Sequence, residues 1–202
     1  MVDPALTPRP PYSGLLGAGS GAHGVVAIDR DGLGLASVAV RKGRRAALAQ
    51  LIRDGYGMEL PCGNYRVEAN GIAFAGVGPE SWLVTQDRGG NDLARSLTRQ
   101  IGAVASIADQ SDGYAVLRLT GPQVRDALAK LIPIDVDARA FEPGDVASTV
   151  TFHMGAALWR LNDAPDGAAV FEIAVFRSLA ASFWHALSAS AAEFGLSAPR
   201  RG

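Results

Sequence analysis

Between residues 116 and 132 the apolar positions change period. Val116, Leu117 and Leu119 stand close together, as strand residues do. Gly121-Pro122 interrupts, and Val124, Ala127, Leu128, Leu131 and Ile132 then recur at helical spacing. The spacing predicts a strand, a tight turn and a helix over 122–132. Pro122 at the first helical position gives up an N–H that has no partner there, and Pro133 stops the helix. The same pattern occurs once before, over 38–52. Arg45, Ala47, Leu48, Ala49, Leu51 and Ile52 answer Arg125, Ala127, Leu128, Ala129, Leu131 and Ile132, eighty residues on. The repetition predicts an internal duplication.

The flanking periodicities repeat in the same order. Residues 25–29 and 35–40 read as strands joined through Asp31-Gly32. The first helix ends at Gly55 or Gly57. Residues 65–68, 72–77 and 82–85 are short strands split by Asn70-Gly71 and Gly78-Pro79 turns. Asn91 can cap a helix lined by Leu93, Leu97 and Ile101 and ended by Gly102. Strands at 104–107 and 114–119, paired through residues 111–113, open the second half. After the helix over 122–132 come strands at 146–152, 156–161 and 170–176. Ser178 is placed to cap a last helix striped by Leu179, Phe183, Leu187, Ala191 and Phe194, with Gly195 at its end.

The expected fold is therefore α+β: a strand-strand-helix-strand-strand-strand-helix unit used twice, with helices packed on antiparallel sheets. The halves run over 25–102 and 103–196 within one domain. Residues 1–24 form an arm rich in proline and glycine, with Pro4, Pro8, Pro10 and Pro11 keeping its start extended. Residues 197–202 are a tail.

Composition narrows the function. Of 202 residues, 48% are hydrophobic and 19% charged, enough apolar surface for a core. The net charge of -1 gives no field to draw nucleic acid. No apolar run is long enough to span a membrane, and the first residues lack the apolar region of a signal peptide. The expected location is the cytoplasm. A single cysteine, Cys62, excludes an intrachain disulfide and a cysteine-rich metal site.

Candidate chemistry is sparse. Gly19, Gly21 and Gly24 satisfy the spacing of a dinucleotide-binding turn, but prolines precede them and a strand follows, where the chemistry needs a helix N-terminus. His23, His153 and His185 stand apart, without partners at metal-ligand spacing, and His153 and His185 read as packed or hydrogen-bonded side chains. Ser20 is not in a nucleophile elbow. Cys62 has no evident activating base. Trp82, Trp159 and Trp184 lie in apolar periodic segments and read as core first, interface anchors second. The expected catalytic, cofactor-binding and metal-ligating residues of this chain are thus none. Trp159, Arg160, Arg177 and Trp184 are the candidate anchors for a partner, because Trp and Arg dominate interface hot spots.

Five segments in register carry a resemblance. They are Val77-Gly-Pro-Glu-Ser-Trp-Leu-Val84, Leu117-Arg-Leu-Thr-Gly-Pro-Gln-Val-Arg-Asp-Ala-Leu128, Phe141-Glu-Pro-Gly-Asp-Val-Ala-Ser-Thr149, Ala157-Leu-Trp-Arg-Leu161 and Phe171-Glu-Ile-Ala-Val-Phe-Arg-Ser-Leu-Ala180. Over residues 33–195 the chain resembles the gamma subunits of heterotetrameric sarcosine oxidases. The resemblance implies a folate-binding-domain fold similar to that of the glycine-cleavage T-protein, itself a duplication. It implies a complex with alpha, beta and delta subunits that oxidises sarcosine to glycine, forming hydrogen peroxide and 5,10-methylenetetrahydrofolate. FAD, FMN, NAD and zinc are then expected in the partner subunits and no cofactor in this chain. Asp109-Gln-Ser111 resembles an Asp-x-Ser of T-protein-like chains, and no acidic folate anchor matches a motif here. The competing expectations are a free-standing folate-dependent one-carbon transferase and a folate-binding accessory protein. Fold alone does not separate them.

Overall fold

The structure, a computed structural model, describes residues 9–17, 23–87, 89–90 and 92–199. The expected order of elements is present. The first half holds β1 (Val25–Asp29), β2 (Gly34–Val40), α1 (Arg45–Tyr56), β3 (Arg66–Ala69), β4 (Ile72–Gly78), β5 (Ser81–Gln86) and α2 (Asp92–Ile101). The second holds β6 (Ala105–Asp109), β7 (Tyr114–Thr120), α3 (Val124–Ala129), β8 (Val146–Thr151), β9 (Met154–Arg160), β10 (Val170–Phe176) and α4 (Ala180–Ala191). A short β11 (Leu196–Ser197) closes the chain.

The pairing differs from the expectation in one respect. The strand before each central strand crosses to the other half's sheet. The first sheet runs β3-β4-β5-β2-β6 and the second β11-β1-β7-β10-β9-β8. β2 pairs antiparallel with β6, Ala36 opposite Asp109, and β1 with β7, Asp29 opposite Leu117. Neither 25–29 with 35–40 nor 104–107 with 114–119 is a hairpin. The reason lies in the turns. A two-residue hairpin of the favoured kind needs positive φ at both central residues. Asn70 (φ 53) and Gly71 (φ 77) supply it and join β3 to β4. At 31–32 only Gly32 (φ 79) does. That turn instead carries the chain from one sheet to the other, with the Arg30 N–H donating to the Val116 carbonyl. The exchange leaves the halves expected at 25–102 and 103–196 interlocked rather than side by side.

The layers follow from the burial. Leu33, Leu35, Ala75 and Leu83 from the first sheet meet Val116, Val146, Ala157, Trp159 and Ala174 from the second, so the sheets pack face to face. On its outer face the first sheet carries α1 and α2, through Leu48, Ile52, Leu93 and Leu97. The second carries α3 and α4, through Leu128, Phe183 and Leu187. Strands covered on both faces account for the nearly continuous apolar runs Ile72-Ala-Phe-Ala and Val170-Phe-Glu-Ile-Ala-Val175. Leu48 and Leu128 are both fully buried, each under its own sheet. Truncating Leu128 to alanine is expected to cost about 2–5 kcal/mol in chemical denaturation. A cost under about 0.5 kcal/mol, the level of a surface change, would contradict the equivalence.

Helix ends depart locally from expectation. Pro122 lies in the turn before α3, which starts at Val124 and ends at Ala129, with Lys130 as C-cap. Ser178 does not cap α4: a 3-10 turn over Arg177–Leu179 leads into it without a side-chain capping bond. Such a turn satisfies helix-start groups through the backbone. Gly57 ends α1 in the left-handed conformation, φ 69, as expected. Asn91, Gly19, Gly21 and Ser20 lie outside the described residues.

The arm is not extended where it is described. Residues 11–15 turn, and Tyr12 (1% exposed) and Leu16 pack into the core beneath α4. The Tyr12 ring meets Trp184 edge-on at 6.5 Å. Its hydroxyl has no hydrogen-bond partner among the described residues. Burial, and then the negative charge of Asp29, push the Tyr12 phenol far above its ordinary value. A native value above the unfolded one gives stability that is complete below about pH 10 and lost as pH rises beyond it. Tyr12→Phe is therefore expected to leave urea stability near pH 7 almost unchanged and to flatten its fall between about pH 10 and 11.5. Identical alkaline profiles for the two proteins would show that Tyr12 ionises freely.

Candidate functional site

The polar groups inside the molecule gather around Glu172, which is 2% exposed. Its place follows from register: on β10 it stands opposite Arg118 of β7 and Trp159 of β9. Arg118 donates to Glu172 Oε1 from Nε (3.0 Å) and from a terminal nitrogen (2.8 Å). Trp159 Nε1 donates to Oε2 at 2.8 Å. Arg30 Nε lies 2.7 Å from Oε1, and Arg30 also pairs with Asp87, which follows β5 of the first sheet. A buried carboxylate ringed by two guanidiniums and an indole is fully engaged. It ties β7, β9 and β10 of the second sheet to the turn after β1.

A second cluster stands beside it. Arg160, 2% exposed, donates to the Val170 carbonyl at 2.9 Å and pairs with Asp163. Its guanidinium and that of Arg125 each lie 5.1 Å from the centre of the Phe171 ring. Burial, and then Arg160, lower the Arg125 proton affinity.

Both clusters bear on the candidate anchors. Trp159 and Arg160 are interior and bonded within their own chain. The register that pairs Trp159 with Glu172 was not legible in the apolar pattern. Arg177 is half-buried and donates to the Arg9 carbonyl, and Trp184 is half-buried against Tyr12. These two are occupied by the arm.

His153 and His185 are not packed as expected. His23, His153 and His185 are exposed, His153 in a two-residue turn at φ 67 between β8 and β9. Among the described residues no three His, Cys, Asp or Glu side chains gather to hold a metal. Cys62 is exposed. Asp109 and Ser111 do local work: the Asp109 carboxylate accepts the Ser111 N–H at 2.9 Å, and Ser111 Oγ accepts the Leu35 N–H at 3.1 Å. They join the 110–113 turn to β2.

Two clefts of similar size remain open among the described residues: one of about 330 Å³ beside Arg45, Cys62, Glu80 and Trp82, and one of about 340 Å³ at one end of the layer between the sheets. Val77 and Leu83 line the latter from the first sheet, and Tyr114, Ser148, Gly155 and Phe176 from the second. Tyr114 and Phe176 stack at 5.1 Å. The lining of this second cleft holds hydroxyls and apolar groups and no carboxylate. Among the described residues no helix is long and apolar enough to cross a membrane.

Comparison with known proteins supplies what the geometry leaves unnamed. Residues 66–199 match the family model of the GCVT N-terminal domain. Sarcosine oxidase subunit gamma of an Arthrobacter species is 30% identical over 119 residues, covering 58% of this chain and 57% of that protein. The same subunit of Corynebacterium sp. strain P-1 matches equally, at 30% over 119 residues. The match thus spans little more than half the length of these curated relatives. Among solved structures, a heterotetrameric sarcosine oxidase from Corynebacterium sp. U-96, in complex with pyrrole 2-carboxylate, superposes with a TM-score of 0.76 at 21% identity, covering 96% of this chain and 99% of that one. The glycine cleavage aminomethyltransferase T of Bartonella henselae superposes at 0.63 with 14% identity, over 88% of this chain and 48% of that one. At these identities the likeness is one of fold. It agrees with the duplicated α+β architecture expected from the repeat.

Proposed function

The chain belongs to the GCVT N-terminal domain family, and from that premise we propose that it is the gamma subunit of a heterotetrameric sarcosine oxidase. The observation that carries the reading is the superposition on the sarcosine oxidase chain over 96% of this chain and 99% of that one. The named gamma-subunit relatives add to it. In this reading the complex removes the methyl group of sarcosine oxidatively, yielding glycine, hydrogen peroxide and 5,10-methylenetetrahydrofolate. Alpha, beta and delta subunits are the partners and hold FAD, FMN, NAD and zinc. The gamma chain works in the cytoplasm as a structural part, without nucleic acid or membrane. Its interior supports this role. The buried carboxylate Glu172 is committed to Arg118, Arg30 and Trp159 and is not poised for proton transfer.

The test is co-expression of the large flavin-bearing subunits with and without this chain, followed by size-exclusion chromatography and oxygen uptake on sarcosine. The expected result is a flavin-loaded, active complex only when the chain is present, and a colourless, inactive protein when the chain is purified alone. A fully active complex assembled in its absence would overturn the reading. Turnover of a folate substrate by the isolated chain would replace it with the transferase alternative.

A further inference from the structure

The duplication provides an internal control for the two sheet edges. β3 and β8 are counterparts, each the outer strand of its sheet. β3 is protected in the usual ways. It is four residues long, reads Arg-Val-Glu-Ala, and carries an Arg66–Glu68 ion pair at 2.6 Å. β8 is six residues long, reads Val-Ala-Ser-Thr-Val-Thr, and has no charge. Its first residue is covered, since the Val146 N–H donates to the Asn64 carbonyl of the other half. Beyond that point no backbone hydrogen bond reaches the outward side of β8 among the described residues, and Ser148 meets β4 only through its side chain, whose Oγ donates to the Val77 carbonyl at 2.6 Å. The hairpin closes on the Thr151–Met154 pair, so alternation turns the backbone groups of Ser148 and Val150 away from β9.

The surroundings of that edge are apolar and exposed. Val150 is 49% exposed, Phe176 49% and Phe152 57%. Phe152 holds φ 46, a conformation costly for a bulky side chain. The 340 Å³ cleft lies alongside, with Ser148 and Thr149 in its wall. Gly155, opposite Val150, leaves its floor empty: a Cβ there would meet nothing within 4 Å.

We propose that β8 and this cleft form a docking surface for an extended strand of a partner subunit, which pairs along Ser148–Thr151 and seats an apolar side chain in the cleft. The proposal rests on the subunit reading and deepens it. An open strand edge selects another strand through its backbone groups. An uncharged lining selects an apolar side chain rather than an ionic ligand.

The experiment uses the co-expressed complex and three variants. Val150→Lys adds the kind of charge that guards edges, Gly155→Leu projects a side chain into the cleft from a position where a Cβ meets nothing within 4 Å, and Glu68→Lys on β3 is the control. The two surface variants are expected to weaken capture of the large subunits at least tenfold while circular dichroism and melting of the chain stay unchanged, and the control to bind as wild type. The amides of Ser148 and Val150 are expected to exchange at least tenfold more slowly in the complex than in the free chain, a readout independent of any substitution. Assembly of both surface variants at wild-type strength, with those amides unprotected, overturns the surface and leaves the subunit reading standing. Failure of the wild-type chain to assemble overturns both. A dimer of the chain alone that Val150→Lys dissociates assigns the edge to a second copy and likewise overturns the proposal.

Discussion

Glu172→Ala is expected to destabilise the chain by about 3–5 kcal/mol, measured by urea denaturation at neutral pH. The carboxylate is the common partner of Arg118, Arg30 and Trp159. Its removal leaves the Arg30 side chain, 9% exposed, with only Asp87 at the surface, and strips the buried Trp159 N–H of its acceptor. The desolvation already imposed on these groups then goes uncompensated. Glu172→Gln keeps an acceptor for Trp159 and a dipole for Arg118, so a smaller loss is expected. A loss under about 1 kcal/mol for the alanine variant would mean that Arg118, whose side chain is already 33% exposed, turns to solvent and the sheets close over the gap.

This network also marks where sequence reasoning stopped. Elements were legible because each carries its own period: Leu48 and Leu128 announce the repeated helix, and Asn70-Gly71 announces the β3–β4 hairpin. Pairing was legible only where turn chemistry decided it. Asp31-Gly32 looks like a hairpin turn, yet only one of its residues takes positive φ, and the chain crosses between sheets there. The opposite error occurred at Phe152-His153. Neither residue signals a tight turn, yet both take positive φ, at 46 and 67, and close β8 on β9. Trp159 and Arg160 illustrate a third limit. Both residue types favour interfaces, and here both are enclosed because β9 is covered on both faces. Burial of that kind depends on long-range packing, which a local pattern does not encode. The candidate surface was partly visible, in the uncharged run 146–152, but its exposure follows from β8 being an outer strand.

The strand exchange makes the halves dependent on each other, and separating them is expected to abolish folding. A fragment 25–102 keeps β2 but loses β6, which covers its free edge, and keeps β1 without β7 to pair with. It also exposes Leu35, Ala75 and Leu83, which the second sheet buries. The expected result is no cooperative urea transition and aggregation through the open β2 edge. A fragment 31–110, cut by sheet instead of by repeat, keeps β2 to β6 with α1 and α2 over one apolar cluster. It is expected to recover helical circular dichroism while binding a hydrophobic dye on its bare inner face. Mixing 1–102 with 103–202 is expected to restore a single cooperative transition, since β1 and β6 then find their sheets in trans. Cooperative unfolding of 25–102 alone would mean that β1 folds back on β2 when β7 is absent, so that the halves fold first and exchange strands afterwards.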